Sequence, residues 1–465
     1  MSVDATPNTG APAIPHPAWR LPLLGDILGV NVRTPLQNSV SIGRELGPIF
    51  ERNVVGNRFV FVSGADMVAD LSDESRFAKH LAPGVKALRG IGGDGLFTAY
   101  NSEPNWAKAH NLLAPAFSQT AMRSYHRTML DVAGELVAYW DRHGTDSPID
   151  VSADMTKLTL ETIGRTGFSY SFDSFEREEQ HPFVKAMIGT LSHSQRTTFL
   201  KSTALGRRLA RRADQRDDVR KAYMAEVVDE VIRARRENPG GAHEDLLELM
   251  LRAARENDPN RIDELNIRHQ VVTFLVAGHE TTSGALSFAL YYLSQNPEVL
   301  AKAQAEVDAV WGTEEPAFEK IVKLRYVRRV LDESLRLWPT APAYARAARQ
   351  DTTLIGKYPM KKGDWMLVLI PSLHRDPVWG NNPEAFDPDR FLPANIKARP
   401  AHTYKPFGTG ERACIGRQFA IHEAVLVLGT ILQKYTVEPD PEYRLKVVER
   451  LTLMPEGFTL SVRRR

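Results

Sequence analysis

The sequence predicts a mainly α-helical fold with small β-sheets, on three observations. Long segments repeat apolar residues at helical spacing, one of them running from Asp263 to Gln295. Strand-like runs bounded by turn residues concentrate at about 48–63 and 353–370. The composition, 43% hydrophobic and 25% charged, is that of a globular chain with a large core. A length of 465 residues corresponds to roughly three average domains, a prior that large single folds break. The reading is one domain over 18–465 behind a flexible tail over 1–17.

The same numbers exclude several functions. Lys and Arg number 59 against 57 Asp and Glu, a net charge of +2, so no nucleic-acid partner held by bulk charge is expected. One cysteine, Cys414, excludes internal disulfides and any multi-cysteine zinc or iron–sulfur site, and accords with a soluble cytoplasmic chain. Met1 to Pro17 has neither the basic start nor the apolar run of a signal peptide. Val271 to Leu293 is long enough to raise a membrane span, but His279, Glu280, Thr281, Thr282 and Ser283 interrupt it. It reads as a buried helix, and no membrane partner is expected.

In chain order, Ile49 to Asn53 and Phe59 to Val62 flank Gly56-Asn57, a short-range hairpin signal. Helices follow at Trp106 to Phe117, Met122 to Trp140, about Leu205 to Arg236, Asp263 to Gln295 and Tyr326 to Leu337, with Pro104 and Pro297 marking two boundaries. Arg207, Arg208, Arg211, Arg212, Arg216 and Arg220 read as a solvated helix face, with a site for an anionic partner as the alternative. Beyond residue 340, Thr353 to Ile370 reads as short strands and Pro371 to Pro393 as irregular chain. Gln418 to Lys434 is helical, and Leu445 to Val462 reads as a closing hairpin.

Two glycine fingerprints, at 90–95 and 408–413, lack the strand, helix and downstream acid that a dinucleotide site needs. His279-Glu280 opens like a zinc-protease motif, but the second histidine's place is Ser283. What remains, Ala277-Gly278-His279-Glu280-Thr281-Thr282 inside the most apolar helix, is either a well-bonded core network or a site. Cys414 lies in Phe407-Gly408-Thr409-Gly410-Glu411-Arg412-Ala413-Cys414-Ile415-Gly416, just before a helix. The helix N-terminus and Arg412 favour a thiolate, and the glycines let backbone approach something flat and bulky. A nucleophile with His402 or His422 as base and a metal ligand both fit. A single thiolate suffices if a porphyrin supplies the other equatorial ligands.

Together these features resemble the cytochrome P450 family, the haem-thiolate monooxygenases. Four stretches carry the resemblance in order: Ala277 to Thr282, the Glu333-Ser334-Leu335-Arg336 pair, Phe386 to Phe391, and the cysteine loop, which follows Phe-x-x-Gly-x-Arg-x-Cys-x-Gly throughout. With Trp106 and His110 it covers nearly the whole chain. It implies a long central helix over haem b (iron protoporphyrin IX) and the cysteine loop below. Cys414 is then the axial thiolate and metal ligand. Arg412, Trp106, His110, Arg346 and Lys79 belong to the cofactor-binding set, with Phe407 near the sulfur and Ala277 and Gly278 above the ring. Glu333, Arg336 and Arg390 form a buried network, where an exposed ion pair would contribute only about 0.2–0.5 kcal/mol.

The implied reaction inserts one atom of O2 into a C–H bond and releases the other as water. Thr281 and Glu280 resemble the family's alcohol–acid pair that delivers protons. Asp94 to Thr98, Trp338 to Pro342 and Arg412 to Leu428 are similar to the haem domain of bacterial self-sufficient fatty-acid hydroxylases, which implies a substrate pocket of Phe97, Ala341, Leu451 and Phe274 beside Ala277. Where those enzymes hold a carboxylate with Arg and Tyr, this chain has Asn57 and Phe61, with Arg58 as a possible substitute. The expected partners are a hydrophobic small molecule, O2 and a separate electron donor (ferredoxin, flavodoxin or diflavin reductase), since the chain ends at Arg465, unless it is an excised haem domain. Lys405, Arg412 and Arg417 are the expected docking patch for that donor. The rivals are a secondary-metabolite tailoring hydroxylase or epoxidase, a peroxide-driven relative, a non-catalytic haem sensor and a nucleotide-binding dehydrogenase.

Overall fold

Helices dominate the computed structural model, which describes residues 12–143, 148–197, 204–237, 244–256 and 258–465. The helices expected from periodicity form at Pro104–Leu113 with a 3-10 turn Ala114–Phe117, at Ala121–His143, Ala204–Glu237, Glu264–Gln295 and Arg325–Leu337. Pro104 and Pro297 occupy first helical positions, where the missing N–H loses nothing. The central helix Glu264–Gln295, about 48 Å long at ~1.5 Å per residue, starts where the Asp263 side chain accepts from the Asn266 N–H at 2.7 Å.

Periodicity did not reveal the central helix's main neighbour, Val151–Phe168, because that helix is buried on nearly every side and carries many polar residues. Those residues bond locally. Thr156, Thr159 and Thr162 donate to the carbonyls of Ser152, Met155 and Leu158 at 2.7, 2.9 and 2.9 Å, which satisfies a buried hydroxyl within one turn. Both helices belong to the largest apolar core, with Ala121–His143 and Arg417–Lys434.

Five strands form the main sheet in the order Ile49–Val54, Asn57–Val62, Trp365–Leu369, Ala343–Ala348, Phe77–His80, and only the second and third pair in parallel. Two of these strands, Ala343–Ala348 and Phe77–His80, lie outside the ranges expected to be β. The first hairpin turns at Val55-Gly56, one residue before the expected Gly56-Asn57. Val54 pairs with Asn57, and the two turn residues have φ of +51° and +79°. That turn needs positive φ at both positions, so Gly56 takes the second and Val55 the first under strain.

The expected closing hairpin over Leu445 to Val462 is two structures. Val447–Glu449 pairs with Leu453–Pro455, whereas Thr459–Arg464 pairs with Tyr435–Pro439 and Ile149–Asp150. Residues 1–11 of the expected tail lie outside the described residues. Its remainder is docked, with Pro17 buried and the Pro15 carbonyl accepting from Glu51 N–H at 2.8 Å. Among the described residues no helix is long and apolar enough to cross a membrane.

Candidate active site

The cysteine loop is closed by its own backbone. Cys414 N–H donates to the Phe407 carbonyl at 2.9 Å and Gly408 N–H to Lys405 at 3.1 Å. Gly408 and Gly410 sit at φ of +73° and +70°, which L side chains rarely adopt, and Gly416 caps the helix Arg417–Lys434. Cys414 is solvent-accessible on one side. The rest of the loop packs round it, and this desolvation pushes the thiol up from its ordinary value, against the Gly416 N–H and Arg417. The expectation of a thiolate favoured by Arg412 therefore fails for the loop alone, because Arg412 points elsewhere. A thiolate here needs a metal cation, which deprotonates a coordinating thiol outright.

Arg412 donates to the Ala99 carbonyl at 2.6 Å and lies over the Trp106 ring at 4.3 Å, while His110 stacks on Trp106 at 5.0 Å. Its Nε is buried without a hydrogen-bond partner. Burial lowers Arg412 to about 10. Lys79, whose Nζ donates to the Phe97 carbonyl and lies 5.1 Å from the Phe97 ring, is lowered to about 7 by burial and then by Arg412. Among the described residues neither cation has an ion-pair partner. Two adjacent desolvated cations and an open thiol fit a group with two carboxylates and a metal, as haem has.

The central helix presents its middle to the same region. Ala277 is exposed and Val276, Gly278 and Thr281 are half-buried in a helix otherwise buried over 271–290, and the Thr281 hydroxyl donates to the Ala277 carbonyl at 2.8 Å. Phe117 links helix and loop: it stacks on Phe274 at 5.5 Å, and a Cβ built on Gly416 would lie 3.9 Å from its ring. Glu280 is buried, and neither carboxylate oxygen has a hydrogen bond. Desolvation raises its pKa, opposed by Arg450 at 3.7 Å.

Two expected residues are placed for other tasks. Gly278 faces the adjacent helix, where a Cβ would come within 2.9 Å of Ile163, so it sets helix approach rather than opening toward a ligand. Arg346 donates to the Leu71 and Phe77 carbonyls at 3.0 and 2.8 Å and pairs with Glu74 at 2.8 Å, which engages its Nε and Nη2 at the sheet. Phe274 packs on Phe117 and lies outside the walls of an apolar cavity beside the main sheet. That cavity, about 180 Å³, is walled by Leu451 but not by Ala341 or Phe97; Pro342 and Ala343 reach it instead. Arg58 is spent on Glu51 at 2.7 Å. In the expected docking patch, Arg417 is exposed and Lys405 half-buried, while Arg412 is turned to Trp106.

The structure brings Glu333, Arg336 and Arg390 together. Glu333 and Arg336, both wholly buried, form a two-pronged pair at 2.6 and 2.7 Å, and Arg390 approaches Glu333 at 3.5 Å. Arg336 also donates to the carbonyls of His374, Pro383 and Ala385. His374 gave no signal in the sequence. Its Nδ1 donates to the Arg336 carbonyl at 3.1 Å and its Nε2 accepts from Lys405 N–H at 2.9 Å, tying the network to the cysteine loop.

Comparison with known proteins agrees with this geometry. Over 457 residues the chain is 45% identical to the bifunctional cytochrome P450/NADPH–P450 reductase 2 of Bacillus subtilis, covering 98% of this chain and 43% of that protein. It is 44% identical over 452 residues to the bifunctional cytochrome P450/NADPH–P450 reductase of Bacillus cereus, covering 97% and 42%. It is 39% identical over 458 residues to a self-sufficient cytochrome P450 monooxygenase of Exserohilum turcicum, covering 98% and 42%. The chain thus spans less than half the length of these relatives. With the cytochrome P450 family model matching residues 15–462, the chain belongs to the cytochrome P450 family, oxidoreductases that hold haem b through a cysteine thiolate.

Proposed function

We propose that this chain is the haem-bearing part of a monooxygenase that places one oxygen atom of O2 into a C–H bond of a hydrophobic, chain-like substrate such as a fatty acid. The observation that carries the reading is the accessible Cys414 in the same region as two half-buried cations, Lys79 and Arg412, that have no ion-pair partner among the described residues. Bound haem supplies the oxygen activation, and thiolate ligation favours O–O cleavage. Cys414 would be the ligand; Arg412, Lys79 and Trp106 would hold the propionates, with His110 positioning the Trp106 ring. Phe407 fixes the cysteine backbone. Small, exposed Ala277 would leave room for the bound group, Thr281 would offer its hydroxyl on the same helix face, and Glu280 would hold a proton one residue away.

Leu451 and its apolar neighbours exclude water and orient the chain, which limits side reactions. Electrons come from a flavoprotein reductase, separate or carried behind residue 465 as in the relatives named above, and the enzyme works in the cytoplasm. Reduction with dithionite under carbon monoxide tests the haem assignment. The expected result is a strongly red-shifted Soret band that disappears in Cys414→Ser; a folded, haem-supplemented protein without haem absorbance overturns the reading.

A further inference from the structure

We propose that Arg52 anchors a carboxylate head-group on the chain-like substrate. The inference rests on the proposed reading that an apolar chain occupies the cavity walled by Leu451. The described residues include four buried arginines, Arg52, Arg235, Arg336 and Arg346. Three have a carboxylate: Arg235 pairs with Asp245, Arg336 with Glu333 and Arg346 with Glu74. Arg52 has none within ion-pair distance: buried Asp26 acts on it from farther off and is itself paired with Arg20 at 3.0 Å. The Arg52 guanidinium donates only to uncharged groups, the Asn38 amide oxygen at 3.0 Å, the Ser39 hydroxyl at 3.2 Å and the Gly29 carbonyl at 2.8 Å. Its Nε is buried with no partner at all. A desolvated cation with a spare donor is a poor structural element and a good receptor for an anion.

The location agrees. Arg52 lines the apolar cavity and is paired in register with Phe59, which lines it too. The neighbouring candidates are spent. The Asn57 amide bonds back to the carbonyls of Val54 and Val55 at 3.2 and 3.3 Å, Phe61 has no polar atom in its side chain, and Arg58 pairs with Glu51. Of the other charged groups on the cavity wall, Glu449 accepts from the N–H groups of Leu36 and Gln37 at 2.9 and 3.1 Å. Arg450 faces Glu280. The head-group site is then on the strand Ile49–Val54 rather than on its hairpin partner Asn57–Val62.

The test is equilibrium binding to the haem-loaded protein, by calorimetry and by the haem spectral shift, of dodecanoate, 1-dodecanol and dodecylamine. The wild type is expected to bind the acid at least about tenfold more tightly than the alcohol, as a charge-assisted contact allows, and the amine most weakly. Arg52→Met should remove that preference while leaving alcohol binding within about twofold, and Arg52→Lys should keep part of it. Equal binding of acid and alcohol by the wild type overturns the anchor and leaves the apolar-chain reading standing. Binding of none of the three overturns that reading, and the anchor with it. A preference that survives Arg52→Met and disappears in Arg450→Met moves the anchor to Arg450 and refutes the assignment. If Arg52→Met does not fold, the wild-type series and Arg52→Lys still decide.

Discussion

Glu280 shows how one residue's surroundings set its chemistry. Its carboxyl is buried beside Arg450 at 3.7 Å and lacks hydrogen bonds, so desolvation outweighs the nearby cation and the acid form is favoured. Arg450→Met removes the opposing charge and should raise the Glu280 pKa further. If Glu280 supplies a proton, its protonated form then persists to higher pH. The pH profile of kcat/KM should shift its limb in the alkaline direction in Arg450→Met and lose that limb in Glu280→Gln. A limb that survives Glu280→Gln belongs to another group. At Cys414 the reverse holds: the loop raises the free thiol, and a metal must provide the thiolate that the helix N-terminus alone does not.

Between elements, two contacts decide how the site is held. Gly278 lets the central helix approach Val151–Phe168 so closely that a methyl group would meet Ile163 at 2.9 Å. Gly278→Ala should cost about 1–3 kcal/mol in urea unfolding. Adding Ile163→Ala vacates the colliding volume, so the double variant should be more stable than the sum of single effects by at least about 0.5 kcal/mol. Strict additivity would mean that the glycine has some other purpose. The Glu333–Arg336 pair fixes the irregular chain around His374, Pro383 and Ala385. Glu333→Gln leaves Arg336 without its carboxylate and should cost about 3–5 kcal/mol. Arg336→Lys should also destabilise, measured by the same unfolding curve, because an ammonium cannot reproduce the planar fork.

Across the molecule, buried titratable groups make stability depend on pH in opposite directions. Burial lowers His374 to about 3 and His279 to about 4, so between those values and about 6.5 the unfolded chain binds more protons and acid destabilises the fold. Burial raises Glu423 to about 8. In the fold it stays protonated where the unfolded chain ionises, so its contribution falls as pH rises from about 4.5 to 8. Glu423→Gln has no such loss. Its stability relative to wild type should rise by up to ~1.4 kcal/mol per pH unit across that window and stay flat below it, as measured by unfolding at each pH. A pH-independent difference would mean that Glu423 is ionised in the fold.

The sequence by itself determined the long helices, the central buried segment with its polar interruption, the cysteine loop and the Glu333–Arg336 spacing, because each is written in contiguous residues through periodicity, caps or local motif chemistry. The helix Val151–Phe168 stayed illegible because burial on every side erases the apolar stripe that periodicity detects. His374 and Arg450 stayed illegible because their partners are distant in the chain. Only the tertiary structure decided that Gly278 faces a helix, that Arg346 belongs to the sheet and that Arg52, among the described residues, is the buried arginine without a carboxylate at ion-pair distance. Which way a side chain points, and which charge is left unpaired, follow from how remote elements pack, and no local stretch of sequence contains that information.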